Sequence, residues 1–157
     1  NFIGITFLIF SFLSAFYIRN NFGFHFFLFI ILICIFTDIG GYVFGKVFKG
    51  PKLTKISPNK TYSGVIGGFL ISLSVGLFFL QYTNTDFFKN ESSMILLAIL
   101  FISFISQLGD LIISYFKRKA KLKNTGNILP GHGGLLDRID GMIFVIPTIF
   151  ILIFIIK

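Results

Sequence analysis

The chain has 157 residues, 55% of them hydrophobic and 13% charged, and its 14 Lys and Arg against 6 Asp and Glu give a formal net charge of +8. With 24 Phe and a mean hydropathy of +0.90, it is not a soluble globular domain, because apolar runs this continuous leave no polar surface for water. A single cysteine, Cys34, rules out an intrachain disulfide framework, and its place in an apolar run reads as a small core side chain.

A membrane-spanning helix needs about 20 mostly apolar residues. Five segments reach or approach that length: Phe2–Ile18, Phe24–Gly45, Tyr62–Tyr82, Ser93–Phe116 and Met142–Ile156. None alternates as a membrane-barrel strand would. The expected fold class is therefore all-α, a polytopic membrane protein with about five transmembrane helices and two basic cytoplasmic loops. The chain opens at Asn1 inside an apolar run, with no basic n-region or cleavage pattern before it. We read it as one membrane-embedded catalytic region of a longer protein, with further N-terminal helices ahead of it.

Orientation follows from the bases. The loops Lys46–Lys60 and Lys117–Arg138 hold 11 of the 14 Lys and Arg residues. Turns expected near Arg19–Asn21 and Thr83–Ser92 hold only Arg19 and Lys89. Both basic loops are thus placed in the cytoplasm, where they can meet.

Polar residues inside the spans narrow the chemistry. Asp38 lies near the basic end of the second span, followed by Gly40, Gly41, Tyr42 and Gly45. Two readings stand for it, a solvated helix-end acid or a carboxylate facing a cavity. In the next loop, Ser57-Pro58-Asn59-Lys60-Thr61 stands directly before a helix start. A lysine, hydroxyls and free N–H groups at such a position suit an anion. Gly64, Gly68, Ser72 and Gly76 recur at intervals of four and predict a face for close helix packing, with a ligand-facing groove as the other reading. Ser103, Ser106, Gln107, Asp110 and Ser114 fall on one face of the fourth span and predict a polar cavity rather than a lipid contact. Asp137 and Asp140 stand three apart at the start of the last helix, where capping is the simpler account of either acid.

Asp110, Asp137 and Asp140 converge by topology on one membrane face with two lysine-rich loops. Mg²⁺ typically sits between one or two carboxylates and substrate phosphates. The combination suits phosphoryl or nucleotidyl transfer at a lipid phosphate, where catalysis is mostly positioning and charge neutralisation. There is no Walker A motif, and one Cys with two distant His, His25 and His132, offers no zinc spacing. Nothing in the pattern calls for nucleic acid. A transporter using Asp38 and Asp110 as intramembrane carriers accounts for those two acids but leaves Pro130–Asp140 unexplained. The residues alone do not name the nucleotide.

Ser114-Tyr115-Phe116-Lys117-Arg118, then Lys123-Asn124, then Pro130-Gly131-His132-Gly133-Gly134-Leu135-Leu136-Asp137-Arg138-Ile139-Asp140 form a long ordered pattern. It resembles the signature of the phosphatidate cytidylyltransferase (CDP-diacylglycerol synthase) family. Thr37-Asp38, Gly45-Lys46 and Ser57–Thr61 look like that family's other cytoplasmic motifs. The resemblance covers residues 37–157, whereas 1–36 match only as hydrophobic helix. It implies transfer of a cytidylyl group from CTP to phosphatidate, in phospholipid biosynthesis, with release of pyrophosphate. It further implies Asp110 and Asp137 as Mg²⁺ ligands, with room for a second cation, and Asp110, Asp137, Arg138 and Asp140 as catalytic. Asp38, Ser57, Lys60, Thr61, Lys117, Arg118, Lys123, His132, Gly133 and Gly134 would bind substrate. A related CTP-dependent lipid-phosphate cytidylyltransferase or lipid kinase is the nearest alternative. The implied setting is a bacterial inner membrane, with the active site facing the cytoplasm and membrane lipids around it. A homodimer is compatible with this reading. Asn124, Ser63 and Ile113 each stand where the family pattern commonly has an acid, so these positions are not metal ligands here.

The topology is directly testable. After Cys34 is removed, single cysteines at Lys52 and Asn84 are expected to react with impermeant reagents from opposite sides of the membrane. Labelling of both from one side would refute the shared cytoplasmic face.

Overall fold

The computed structural model describes residues 2–54, 57, 60–83, 92–122 and 136–156. Among them the regular elements are all helices: α1 (Phe2–Phe48), α2 (Tyr62–Tyr82), α3 (Ser92–Lys119) and α4 (Leu136–Ile156). The first three are long and apolar enough to cross a membrane, and a shorter apolar helix, Ile139–Ile155, accompanies them. The chain is an all-α polytopic integral membrane protein.

The 47 residues of α1, if straight, would span about 70 Å, more than twice the roughly 30 Å of a bilayer's hydrocarbon core. Gly23 resolves the mismatch. Its φ of 84° and ψ of 167° are not helical and divide α1 into segments 2–22 and 24–48. A left-handed φ of this kind is open to glycine and strained for other residues. The turn expected at Arg19–Asn21 is therefore displaced. Those residues stay helical, and Asn21 Nδ2 donates back to the Tyr17 carbonyl at 2.9 Å. The chain lacks a breaker until Gly23.

Contacts fix the direction of every segment. Phe7 stacks near Phe144 and Tyr17 near Phe154, so the first half of α1 runs parallel to α4. The second half runs antiparallel to α2, with Phe29 beside Phe79 at one end and Gly45 beside Thr61 at the other. α3 returns antiparallel to α2, placing Ile99 against Gly76 and Gln107 against Gly68. α4 reverses again, with Gly109 of α3 against Phe144 and Lys117 paired to Asp140. The chain thus turns back at Gly23, and five segments alternate in direction as the five apolar runs predict. Asp38, Lys60, Asp110, Lys117 and Asp140 all fall at the same end.

The core joins both halves of α1 to α3 and α4 through Ile18, Phe29, Ile30, Ile33, Cys34, Ile99, Ile102, Val145, Ile146 and Ile149. Residues such as Phe12, Leu70 and Phe154 point outward, half or more exposed, where lipid replaces water. Between helices in lipid, van der Waals fit and internal hydrogen bonds do the work that hydrophobic burial does in water. Backbone groups must be satisfied inside the bundle. Pro147 lies within α4 and has no N–H to offer the Ile143 carbonyl four residues back. Ser11 Oγ donates to that carbonyl instead, at 3.1 Å, from the first half of α1.

The packing of α1 on α2 is the most extensive in the bundle, and glycine makes it close. Gly64, Gly67, Gly68, Ser72 and Gly76 are the buried residues of α2, which includes every position of the predicted small-residue face. A Cβ at Gly64 would sit 2.6 Å from the Gly41 carbonyl oxygen, whereas one at Gly41 would meet the Gly64 carbonyl at an ordinary 3.7 Å. Gly64→Ala must therefore push α2 away from α1, at a cost of about 1–3 kcal/mol, while Gly41→Ala is expected to be near neutral. Thermal unfolding in detergent separates the two variants, and equal midpoints would show that this crossing is not tight.

Candidate functional site

The site is assembled where the second half of α1 ends, α2 begins and α3 passes. The chain leaves α1 through Lys49, whose φ of 44° is left-handed, a common way to end a helix. It then folds into a small closed loop. Leu53 N–H donates to the Lys60 carbonyl at 2.8 Å and Tyr62 N–H to the Pro51 carbonyl at 3.1 Å, around an antiparallel bridge between Lys52 and Thr61. Ser57 accepts at its carbonyl from Lys60 N–H, 3.1 Å away. Lys60 is thus held by its backbone on both edges. Thr61 then caps α2, its Oγ1 accepting from Gly64 N–H at 3.1 Å, with Ser63 Oγ 3.0 Å from the same oxygen. This cap answers one of the free N–H groups at the helix start.

That geometry delivers Lys60 to α3. Its Nζ lies 2.7 Å from Asp110 Oδ2, with the two side chains 27% and 29% exposed. The pair borders a cavity of about 270 Å³ lined by Thr37, Asp38, Gly41, Tyr42, Ser57, Lys60, Thr61, Gly64, Val65, Gln107 and Asp110. Asp38 lines the same cavity, is exposed, and has no hydrogen-bond partner among the described residues. Its charge is within electrostatic reach of Asp110, Lys60 and Asp140. The floor is polar and braced. Thr37 Oγ1 lies 2.7 Å from the Ile33 carbonyl and 2.9 Å from Ser103 Oγ of α3. Gln107 Nε2 donates to the Val65 carbonyl at 3.4 Å.

A second ion pair stands at the same end. Lys117 Nζ, in the last turns of α3, lies 2.8 Å from Asp140 Oδ2, with the carboxylate side chain 5% exposed. It clamps α3 to the start of α4. Arg118 follows on an exposed face of α3. Asp137 and Arg138 stand in the first turn of α4, but their side chains, like the whole of Lys123, His132, Gly133 and Gly134, lie outside the described residues.

Of the residues singled out from sequence, then, Asp38, Ser57, Lys60, Thr61 and Asp110 share one cavity. Lys117 and Asp140 face each other. Of the polar stripe on α3, Gln107 and Asp110 line the cavity, whereas Ser103 and Ser106 are buried in the packing. Thr37, Gly41 and Val65 are lining residues that composition and spacing did not mark as such. The signal was present for two of them: Thr37 and Gly41 stand four apart on α1, one residue before Asp38 and Tyr42.

No group of three His, Cys, Asp or Glu side chains gathers around a common point among the described residues. Asp38 and Asp110 are nonetheless hard oxygen donors on one cavity. One or two carboxylates with nucleotide phosphates completing the shell is the usual Mg²⁺ arrangement. The donor set fits a cation that arrives with a phosphate ligand.

The sequence profile of the cytidylyltransferase family matches residues 1–156. The chain belongs to that family. The match runs through residues 1–36, where motifs are lacking, as well as through the site. The chain is 45% identical over 154 residues to the phosphatidate cytidylyltransferase of Staphylococcus aureus (strain COL), covering 97% of this chain and 55% of that protein. It is 42% identical over 139 residues to the phosphatidate cytidylyltransferase of Staphylococcus haemolyticus, covering 88% and 52%. A similar relative from Staphylococcus saprophyticus is 42% identical over 132 residues, covering 83% and 50%. The chain spans about half the length of the curated relatives it matches.

The cap that aims Lys60 is open to a simple test. Thr61→Val keeps the shape but removes the acceptor for Gly64 N–H, and is expected to cost about 1 kcal/mol. Thr61→Ser is expected to retain most of the stability. A Val variant that unfolds at the wild-type midpoint in detergent would show that the cap is dispensable.

Proposed function

We propose that the protein carrying this chain transfers the cytidylyl group of CTP to phosphatidate, giving CDP-diacylglycerol and pyrophosphate. The observation that carries this reading is the cavity at the basic end of the bundle, where Asp38, Asp110 and Lys60 converge in a chain of the cytidylyltransferase family. The names of its staphylococcal relatives point to the same reaction. The setting is the bacterial inner membrane, with the cavity on the cytoplasmic face, since the basic loops flank it.

The reaction needs no covalent enzyme intermediate. A phosphatidate phosphate oxygen forms a bond to the α-phosphorus of CTP, and the bond from that phosphorus to the bridging oxygen breaks, so pyrophosphate leaves with the electron pair. Asp110, with Asp38 on the same cavity and Asp137 as the family pattern implies, would hold Mg²⁺, which would supply charge neutralisation at the phosphate oxygens. Lys60 is placed to hold a phosphate at the cavity wall. Arg118, Lys123 and Arg138 would add positive charge for the substrate phosphates, as the family pattern implies, and a guanidinium can grip two phosphate oxygens at once. Gly131, Gly133 and Gly134, outside the described residues, would let backbone N–H groups approach an anion, as the family pattern implies. The lipid-facing helices bring the acceptor phosphate to the cavity's level by burying its acyl chains in the same bilayer.

Asp110→Asn and Asp137→Asn each keep size and hydrogen bonding while removing charge. Each is expected to lower CTP- and phosphatidate-dependent pyrophosphate release by at least roughly a hundredfold, the scale of losing a strong electrostatic contributor. The double variant should lose little more, because ligands of one ion act as a unit. Near-wild-type release by Asp110→Asn would remove Asp110 from the chemistry and leave it a hydrogen-bonding residue between helices.

A further inference from the structure

The cavity wall carries a cation of its own, the Lys60 ammonium, 2.7 Å from Asp110 Oδ2. Lys60 also has its backbone fixed, by the Leu53 N–H at its carbonyl and the Ser57 carbonyl at its N–H. What remains free to move is the four-carbon stem. Both partners are partly exposed, at 27% and 29%, so solvent and solutes reach them and the pair contributes at most about 1 kcal/mol. Asp38, on the same cavity, has no hydrogen-bond partner among the described residues.

A divalent ion on Asp110 and an ammonium on the same carboxylate repel each other at close range. They do not occupy it together at full strength. A nucleotide changes the balance, because its phosphates give the ammonium a new acceptor a short swing away. We propose that Lys60 and the divalent cation compete for Asp110, and that nucleotide phosphates decide the competition by drawing Lys60 off the carboxylate. Lys60 is then a positioning residue that couples two ligands. It holds Asp110 in place while the cavity is empty, weakens binding of the bare metal ion, and moves onto phosphate when nucleotide and metal enter. By linkage, each ligand strengthens the other by the same factor. The inference rests on the nucleotide and metal reading above, and the test separates the two.

Mn²⁺ serves as the probe, its free concentration read by electron paramagnetic resonance. The purified protein in detergent is titrated with and without α,β-methylene-CTP, which cannot release pyrophosphate. In the wild type the analogue is expected to tighten Mn²⁺ binding severalfold. Lys60→Gln is expected to bind Mn²⁺ more tightly than wild type without nucleotide, by roughly tenfold, a coupling of ordinary size. The analogue should then add little. Lys60→Arg keeps the charge and should behave as wild type, and Asp110→Asn in the Lys60→Gln background should abolish the gain. Equal or weaker Mn²⁺ binding by a folded Lys60→Gln protein overturns the competition, even if wild-type protein turns over CTP and phosphatidate. A wild-type protein that binds no Mn²⁺ under either condition and releases no pyrophosphate overturns the functional reading as well.

Discussion

The close crossing of α1 and α2 is the contact on which the site depends. At Gly64 the two backbones come near enough that a single methyl group would strike the Gly41 carbonyl. Everything in the cavity is referred to that approach. Asp38 and Tyr42 belong to α1, and Lys60 and Thr61 to the loop that feeds α2. Their side chains have to bridge a separation that between packed helices is normally about 8–10 Å. Only with the helices drawn together does one loop residue reach across to Asp110 on the third helix. Lipid gives no hydrophobic push between helices, so this approach is held by contact and by the polar links beneath it, such as Thr37 to Ser103.

Those links also explain why the cavity sits where it does. A hydroxyl within a bilayer must find a partner inside the protein. Ser14 and Ser72 turn back on their own helices, onto the Phe10 and Phe69 carbonyls. Thr37 and Gln107 instead reach other helices and form the polar floor. Above them the charged groups begin, toward the basic end. The gradient from apolar core through hydroxyls to ions matches the depth of a lipid: chains below, headgroup above.

Much of this could be read from the chain before any fold was known. Long apolar runs demand helices, and the uneven spread of lysine and arginine orders the loops. The small residues of α2 showed the packing face, because four-residue spacing is a direct consequence of helix geometry. Asp38 and Asp110 stood out as charges at membrane depth, and Lys60 as a base directly before a helix start. Their meeting did not, because Lys60 and Asp110 are 50 positions apart and periodicity carries no information on the register between helices. The reversal at Gly23 was also missed as a single-residue event. The polar residues at 19–21 looked like a turn, yet nothing in them prevents a helix from continuing. Lys117 illustrates a further limit. Its place in a basic cluster does not reveal its pairing with Asp140, 23 positions along the chain.

The hydrogen bond from Ser11 to the Ile143 carbonyl joins positions 132 residues apart. A ribosome makes the donor well before the acceptor. Until α4 enters the bilayer, the first half of α1 lacks the neighbour that Tyr17, Phe10 and Ser11 are shaped to meet. During synthesis the nascent bundle therefore stays open on that side until α4 enters and closes it. A chain interrupted before α4 would hold its first segment in the membrane with an unmatched seam facing lipid.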